Sequence, residues 1–358
     1  MKLGILGLPN IGKTTLFNAI TGSKAAAQNY AFSTVESNIS AVPVPDERLG
    51  VLAEMYKPKK ITPTTIEFAD IAGLVRGSSR GEGLGNKFLG QIREFDALVH
   101  VVRCFDDGNV LHVEGGVDPA RDVETINFEL ILSDFEHIER RIDRMRKLAK
   151  GDRKHEAEVT VLEGLLEHLD AGRPVRTYDM EGYSTRDLLS AKPVIYAANV
   201  SESALADPAA DPYVAALHRV AQAEGAAMLP VCAQLEQDLV GLDPDERAGF
   251  LAEYGVESTG LDSLIKLSYS LLGLISFLTA GPTEVRAWPI ERGTKAQQAA
   301  GKIHSDLERG FIRAEVVAYG DLVACGSEKA AKEKGLYRSE GREYVMQDGD
   351  VTLIRFNV

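Results

Sequence analysis

Gly7-Leu8-Pro9-Asn10-Ile11-Gly12-Lys13-Thr14 is the stretch on which the fold is decided. An apolar run, residues 3–8, leads into it, and a helix signal from Thr14 to Thr21 follows. That strand–loop–helix setting is the one a phosphate-cradling loop requires. The glycines let backbone N–H groups wrap around phosphate oxygens, and the helix N-terminus adds favourable dipole charge. Lys13 is expected to neutralise the β- and γ-phosphates catalytically, and the Thr14 hydroxyl to bind Mg²⁺. Asn10, Ile11, Gly12 and Thr15 complete the expected cradle.

Further motifs follow in the order of a nucleotide-hydrolysing switch. Thr65-Ile66-Glu67-Phe68-Ala69-Asp70-Ile71 is a strand that ends in an acid, placing Asp70 to hold Mg²⁺. Gly73 is set to present its N–H to a γ-phosphate. Thr34, in Phe32-Ser33-Thr34-Val35-Glu36, is the candidate threonine that senses γ-phosphate through the metal. Leu74 stands where Ras-like proteins carry the glutamine that orients the attacking water. Leucine has no hydrogen-bonding group, so intrinsic turnover is expected to be slow. The glycine-rich segment 77–85 reads as a second switch.

The base-reading element departs from a guanine site. An Asn-Lys-x-Asp loop reads guanine because its carboxylate accepts from N1–H and the 2-amino group. Here the segment is Asn199-Val200-Ser201-Glu202, with valine for the lysine stem and the longer glutamate for aspartate. Asn199 is expected to pair with the N6/N7 edge of adenine, as amides do in DNA readout. Val200, Glu202, Cys232 and Ala233 are assigned to the same base pocket. ATP is therefore the expected nucleotide.

Around these motifs the chain alternates buried strands with helices, the pattern of a mostly parallel sheet covered on both faces. Residues 97–102, 193–198 and 228–232 supply its remaining strands. Between the first and second of these three strands lies a helical insertion. Ile131, Phe135, Ile138, Ile142 and Met145, then Val159, Leu162, Leu166 and Leu169, repeat at spacings of three and four. Two such seams joined by a polar turn predict an antiparallel coiled-coil hairpin. Arg140, Arg141 and Arg144 on its strongly basic stretch are candidate docking groups. Strand signals at 284–289, 311–317 and 350–356 surround a helix from Lys295 to Leu307, with Thr294 as expected N-cap. The reading is an α/β P-loop G domain (1–121 and 190–277), an inserted helical arm (122–189) and an α+β ubiquitin-like module (278–358).

With 358 residues, 44% hydrophobic and 26% charged, the chain can bury two or three cores. No apolar run is long enough to span a membrane. The three cysteines, Cys104, Cys232 and Cys325, lack metal-ligand spacing and fit a reduced cytoplasmic compartment. A formal charge of −13 argues against indiscriminate nucleic-acid binding, and no DNA sequence specificity is expected.

The motifs above, with Gly81-Glu82-Gly83-Leu84-Gly85-Asn86-Lys87-Phe88-Leu89 and His100-Val101-Val102-Arg103-Cys104-Phe105, give the chain a resemblance to the YchF-type Obg-like ATPases along essentially its whole length. The resemblance implies a G domain, a helical arm and a C-terminal TGS domain. It also implies Mg²⁺-dependent ATP hydrolysis and association with ribosomes, through ribosomal RNA and protein, in the regulation of translation or stress response. Asn10 matches a K⁺-binding asparagine of potassium-activated relatives. His112 matches a loop histidine suggested to replace the missing glutamine. Two other readings stay open: a GTPase of ribosome maturation, and a nucleotide-gated binding module with negligible hydrolysis. The first reading predicts that the nucleotide-free protein, titrated with Mg²⁺ present, binds ATP more tightly than GTP. A GTP preference of about tenfold would mean that other residues read the base.

Overall fold

A computed structural model describes residues 1–22, 39–71, 84–149, 154–180, 182–256 and 259–357. Thr34, Gly73, Leu74 and most of the expected second switch lie outside the described residues. Twelve strands can be followed: β1 (Lys2–Leu6), β2 (Ile39–Pro43), β3 (Lys60–Thr62), β4 (Thr65–Asp70), β5 (Ala97–Cys104), β6 (Val194–Val200), β7 (Ala227–Val231), β8 (Leu274–Ala280), β9 (Glu284–Glu291), β10 (Phe311–Ala318), β11 (Arg338–Glu340) and β12 (Asp350–Phe356). They form two six-stranded sheets, ordered β2-β4-β1-β5-β6-β7 and β11-β10-β12-β8-β9-β3. Among the described residues no helix is long and apolar enough to cross a membrane.

In the first sheet β1 pairs in parallel with β4 and β5, β5 with β6, and β6 with β7. Every residue of β5 and β6 is buried, which is why these segments read as unbroken apolar runs. Helices occupy the crossovers, as parallel pairing demands. Two helices of this unit begin at side-chain caps. Asp211 accepts from the N–H groups of Tyr213 and Val214 ahead of Pro212–Ala223. Asp243 and Glu246 form a capping box ahead of Pro244–Glu253.

The arm is the expected hairpin, built from Pro119–Ala149 and Lys154–Asp170. Its seam buries Ile131, Ile138, Ile142, Met145, Leu162, Leu165 and Leu169. Leu165 is fully buried whereas Leu166, expected at the seam centre, is only partly so. Arg141 corrects the reading of the basic stretch. Its guanidinium spans to Glu158 on the second helix at 2.7 and 3.1 Å, so it joins the two helices and is not a free docking group. At the arm root the buried carboxylate of Asp134 accepts from Leu189 N, Ser190 N and Ser190 Oγ, each at 2.7 Å.

The second unit comprises Val42–Ile66 and Ile265–Val358. The boundary expected at 277/278 therefore falls inside β8, and residues 42–66 fold with the C-terminal strands. The physical reason is apolar burial. Helix Glu47–Tyr56 places Leu49 and Leu52 in one core with Leu278, Val285, Ala287, Val317 and Val351. Strand β3 pairs in parallel with β9. Arg48 adds a polar tie within this unit, reaching Asp46 at 2.8 Å and Asp348 at 2.9 Å. Thr294 is not the N-cap expected. Its hydroxyl donates to the Glu291 carbonyl at 2.6 Å, and the helix runs Ala296–Ile303 with a break at His304 before Ser305–Arg309.

Asp134→Ala leaves three buried donors without an acceptor and should cost about 3 kcal/mol. The expected result is a lowered urea midpoint by circular dichroism, with Asp134→Asn losing less. An unchanged midpoint in the alanine variant would contradict the role given to this carboxylate.

Candidate functional site

The loop between β1 and helix Lys13–Gly22 has the geometry its glycines require. Gly12 adopts φ +87°, and a Cβ there would lie 2.3 Å from Asn199 Nδ2. Only glycine fits that approach. Asn10 also has positive φ, at 61°, a conformation that asparagine tolerates better than most residues. Leu16 N donates to Gly12 O at 2.9 Å, closing the first turn.

Lys13 is nearly buried and forms an ion pair with Asp70 at the end of β4. Thr14 Oγ1 donates to the other carboxylate oxygen of Asp70 at 3.2 Å. A hydroxyl and a carboxylate facing one another are the hard oxygen donors that Mg²⁺ prefers, so the residues present fit the ion. Holding a cation between Thr14 and Asp70 requires Lys13 to leave the carboxylate, and phosphate oxygens are its natural alternative partner. Lys13, Thr14 and Asp70 are thus brought together as the sequence suggested.

The base side differs from expectation. Asn199 is buried, and its amide is already engaged: Nδ2 donates to Ile11 O at 2.8 Å and Oδ1 accepts from Ala233 N at 3.0 Å. One N–H remains, which suits the N7 acceptor common to adenine and guanine. The paired N6/N7 reading of adenine by this amide is thereby corrected. Val200 is only 2% exposed and has no free face to cover a base. Glu202 begins a short helical turn and accepts from the Tyr254 hydroxyl at 3.2 Å. Cys232 and Ala233 are buried, so they would meet a base through their backbone. Burial also pushes the Cys232 thiol up, away from thiolate chemistry.

His112 is likewise not where a water-orienting group belongs. Its side chain is buried, Nε2 is 2.8 Å from Asp122 Oδ2, and Nδ1 accepts from Glu114 N at 3.2 Å. Both ring nitrogens are engaged, which assigns the proton to Nε2. The neighbouring carbonyl, Leu111 O, is what reaches the phosphate loop, accepting from Asn10 Nδ2 at 3.3 Å. Asn10, assigned to K⁺ from the resemblance, here links that loop to residues 105–118.

Two arginines that the sequence reading did not single out hold this linking loop. Arg103, 2% exposed, donates to the carbonyls of Phe105, Val110 and Asp107 at 3.0, 3.0 and 3.1 Å. Arg121 donates to the carbonyls of Glu114 and Gly116 and to Asp122. The available signal was the charge itself, since an arginine inside a fully buried strand must bond inward.

Comparison with known proteins places these features together. Residues 2–139 match a family model described as 50S ribosome-binding GTPase, and residues 274–357 match the model of the YchF-type GTPase C-terminal domain, described as a protein of unknown function. The chain is 52% identical to the ribosome-binding ATPase YchF of Bacillus subtilis, covering 100% of both chains. It is 48% identical to the protein of the same name from Escherichia coli O157:H7, covering 100% of this chain and 99% of that one. A solved structure of the Schizosaccharomyces pombe YchF GTPase superposes with a TM-score of 0.87 at 36% identity, covering 99% of this chain and 97% of that one.

Glu236, in the short helix Ala233–Asp238, is a further buried group beside the base loop. It is 5% exposed and accepts from Leu261 N at 3.0 Å. Burial pushes its carboxyl up to about 7. A carboxyl raised in the folded state holds its proton longer than in the unfolded chain, so stability falls as pH rises from the ordinary value of 4.5 to about 7. Glu236→Gln should remove that part of the pH dependence and narrow the difference in melting temperature between acidic and neutral pH. Equal pH profiles for the two proteins would refute the assignment.

Proposed function

The chain belongs to the YchF family, and on that premise we propose that it is a ribosome-binding P-loop ATPase that converts ATP and water to ADP and phosphate. The observation that carries this reading is the cluster of Lys13, Thr14 and Asp70 beneath a glycine-shaped loop. Lys13 exchanges its carboxylate partner for phosphate, which leaves Asp70 and Thr14 to hold Mg²⁺. The ion, when bound, neutralises charge that develops on the phosphate oxygens. Gly73 and Thr34 complete the γ-phosphate contacts in this proposal.

Preference for adenine is supported by the fate of the segment's one carboxylate. A guanine site needs an acceptor for N1–H and the 2-amino group, whereas Glu202 already accepts from Tyr254. A guanine would compete for that acceptor; adenine has no such pair of donors. Hydrolysis is slow until loop 105–118 rearranges, because His112 is held by Asp122 and no side chain of that loop faces the phosphates with a free ring nitrogen. K⁺ at Asn10 is proposed as the additional charge in the transition state. In this reading the protein acts on ribosomes in the cytoplasm and regulates translation.

The test is ATP turnover with and without ribosomes and K⁺. Turnover should rise with both, and vanish in Lys13→Ala. His112→Ala should bind ATP normally yet lose the stimulated rate by about a hundredfold, the usual scale for a proton-handling side chain. Unstimulated turnover that persists in Lys13→Ala would sink the ATPase reading and leave a binding module.

A further inference from the structure

An open cavity of about 980 Å³ lies at the root of the arm, within the first unit. Helix Pro119–Ala149, the turn after Lys154–Asp170 and helix Pro212–Ala223 enclose it. At its floor an ion pair is satisfied within the protein. Glu224 there accepts from Arg176 Nε at 2.9 Å, Tyr196 OH at 2.7 Å and Asn127 Nδ2 at 2.9 Å, so its charge is cancelled from below. The walls differ in character. Phe128 is 54% exposed, and Arg173 and Arg219 are exposed without an acidic partner among the described residues. Arg121 stands on the same wall, and Glu124 is the wall's one carboxylate. On a chain of net charge −13, this is a local reversal of sign around an exposed aromatic ring.

We propose that the cavity receives an unpaired nucleotide of a single-stranded RNA segment. The base stacks on Phe128, and the flanking phosphates are held by Arg173 and Arg219. Every base offers a π-face to such a ring, so stacking needs no sequence. Guanidinium groups bind phosphate oxygens through paired, charge-assisted hydrogen bonds. An acidic peptide would use the arginines equally well but gives no reason for half of a phenylalanine to face water. A space of this size accommodates a ligand of nucleotide dimensions. The proposal rests on the ribosome-binding reading and names the chemistry that this site recognises.

Arg121 gives the cavity a connection to the nucleotide. Its guanidinium bonds the carbonyls of Glu114 and Gly116 and the carboxylate that anchors His112. A phosphate in the cavity competes for the same donors and loosens loop 105–118, the loop whose Leu111 carbonyl meets Asn10. RNA contact is thereby felt at the phosphate loop.

The probe is a labelled single-stranded oligoribonucleotide of about ten residues, a length in the range such grooves track, titrated against the full chain by fluorescence anisotropy. Phe128→Ala should weaken binding about tenfold, with basal ATP turnover unchanged. Arg173→Glu combined with Arg219→Glu should abolish binding and with it the salt dependence seen for the wild type. Absence of oligonucleotide binding by the wild type, or equal binding by Phe128→Ala, overturns the assignment. So does a poly-glutamate peptide that competes with the RNA and binds Phe128→Ala as tightly as wild type, since the occupant is then an acidic segment. Phe128-dependent RNA binding by a protein that fails to co-sediment with ribosomes supports the cavity and refutes the ribosome reading alone.

Discussion

One buried amide holds the nucleotide site together. Asn199, at the end of β6, donates to Ile11 in the phosphate loop and accepts from Ala233 at the start of the next helix. Three segments separated by long stretches of chain thus share a single planar group. The contact is possible only because Gly12 has no side chain to keep the asparagine away. Both of the amide's bonded partners are backbone atoms, so any neighbouring side chain can change without disturbing the bridge. An unmade bond at this depth would leave a buried carbonyl or N–H unsatisfied, which makes the arrangement cooperative.

That dual use explains what the sequence did and did not reveal. The strands β5 and β6 were legible because complete burial writes itself as apolar runs, β1, β4 and β7 because their buried positions are apolar, and Lys13, Thr14 and Asp70 because their spacing serves one chemistry. The arm was legible as two seams at helical spacing. By contrast, the role of Asn199 depends on where Ile11 and Ala233 arrive in space, and no local pattern records that. Strand β3 was invisible for a different reason: Lys60-Ile61-Thr62 is a short, exposed edge strand whose pairing with β9 is fixed by distant residues. The N-cap assignment at Thr294 failed because a hydroxyl that closes a turn looks, in sequence, like one that caps a helix.

The loop from residues 105 to 118 is where binding and conformation meet. Arginine side chains from either flank bond five of its carbonyls, and its own turns, Asn109 N on Asp107 Oδ1 and Glu114 N on His112 Nδ1, complete its shape. A buried guanidinium such as Arg103 is tolerated because each of its three nitrogens finds an oxygen. The same loop ends at the first turn of the arm, in which Asp122 both anchors His112 and receives Arg121. Nucleotide chemistry and arm position therefore share charged groups over a few residues.

The return of residues 42–66 to the C-terminal sheet also bears on how this chain is made. Lys60, Ile61 and Thr62 register with Glu284, Val285 and Arg286. During synthesis the early segment emerges long before its partners, and closing so large a loop is entropically slow. Leu49 and Leu52 must wait, without their core, until β8 and β9 have left the ribosome. The nascent polypeptide thus carries an apolar helix that only its own final residues can shelter, a natural point for chaperone capture.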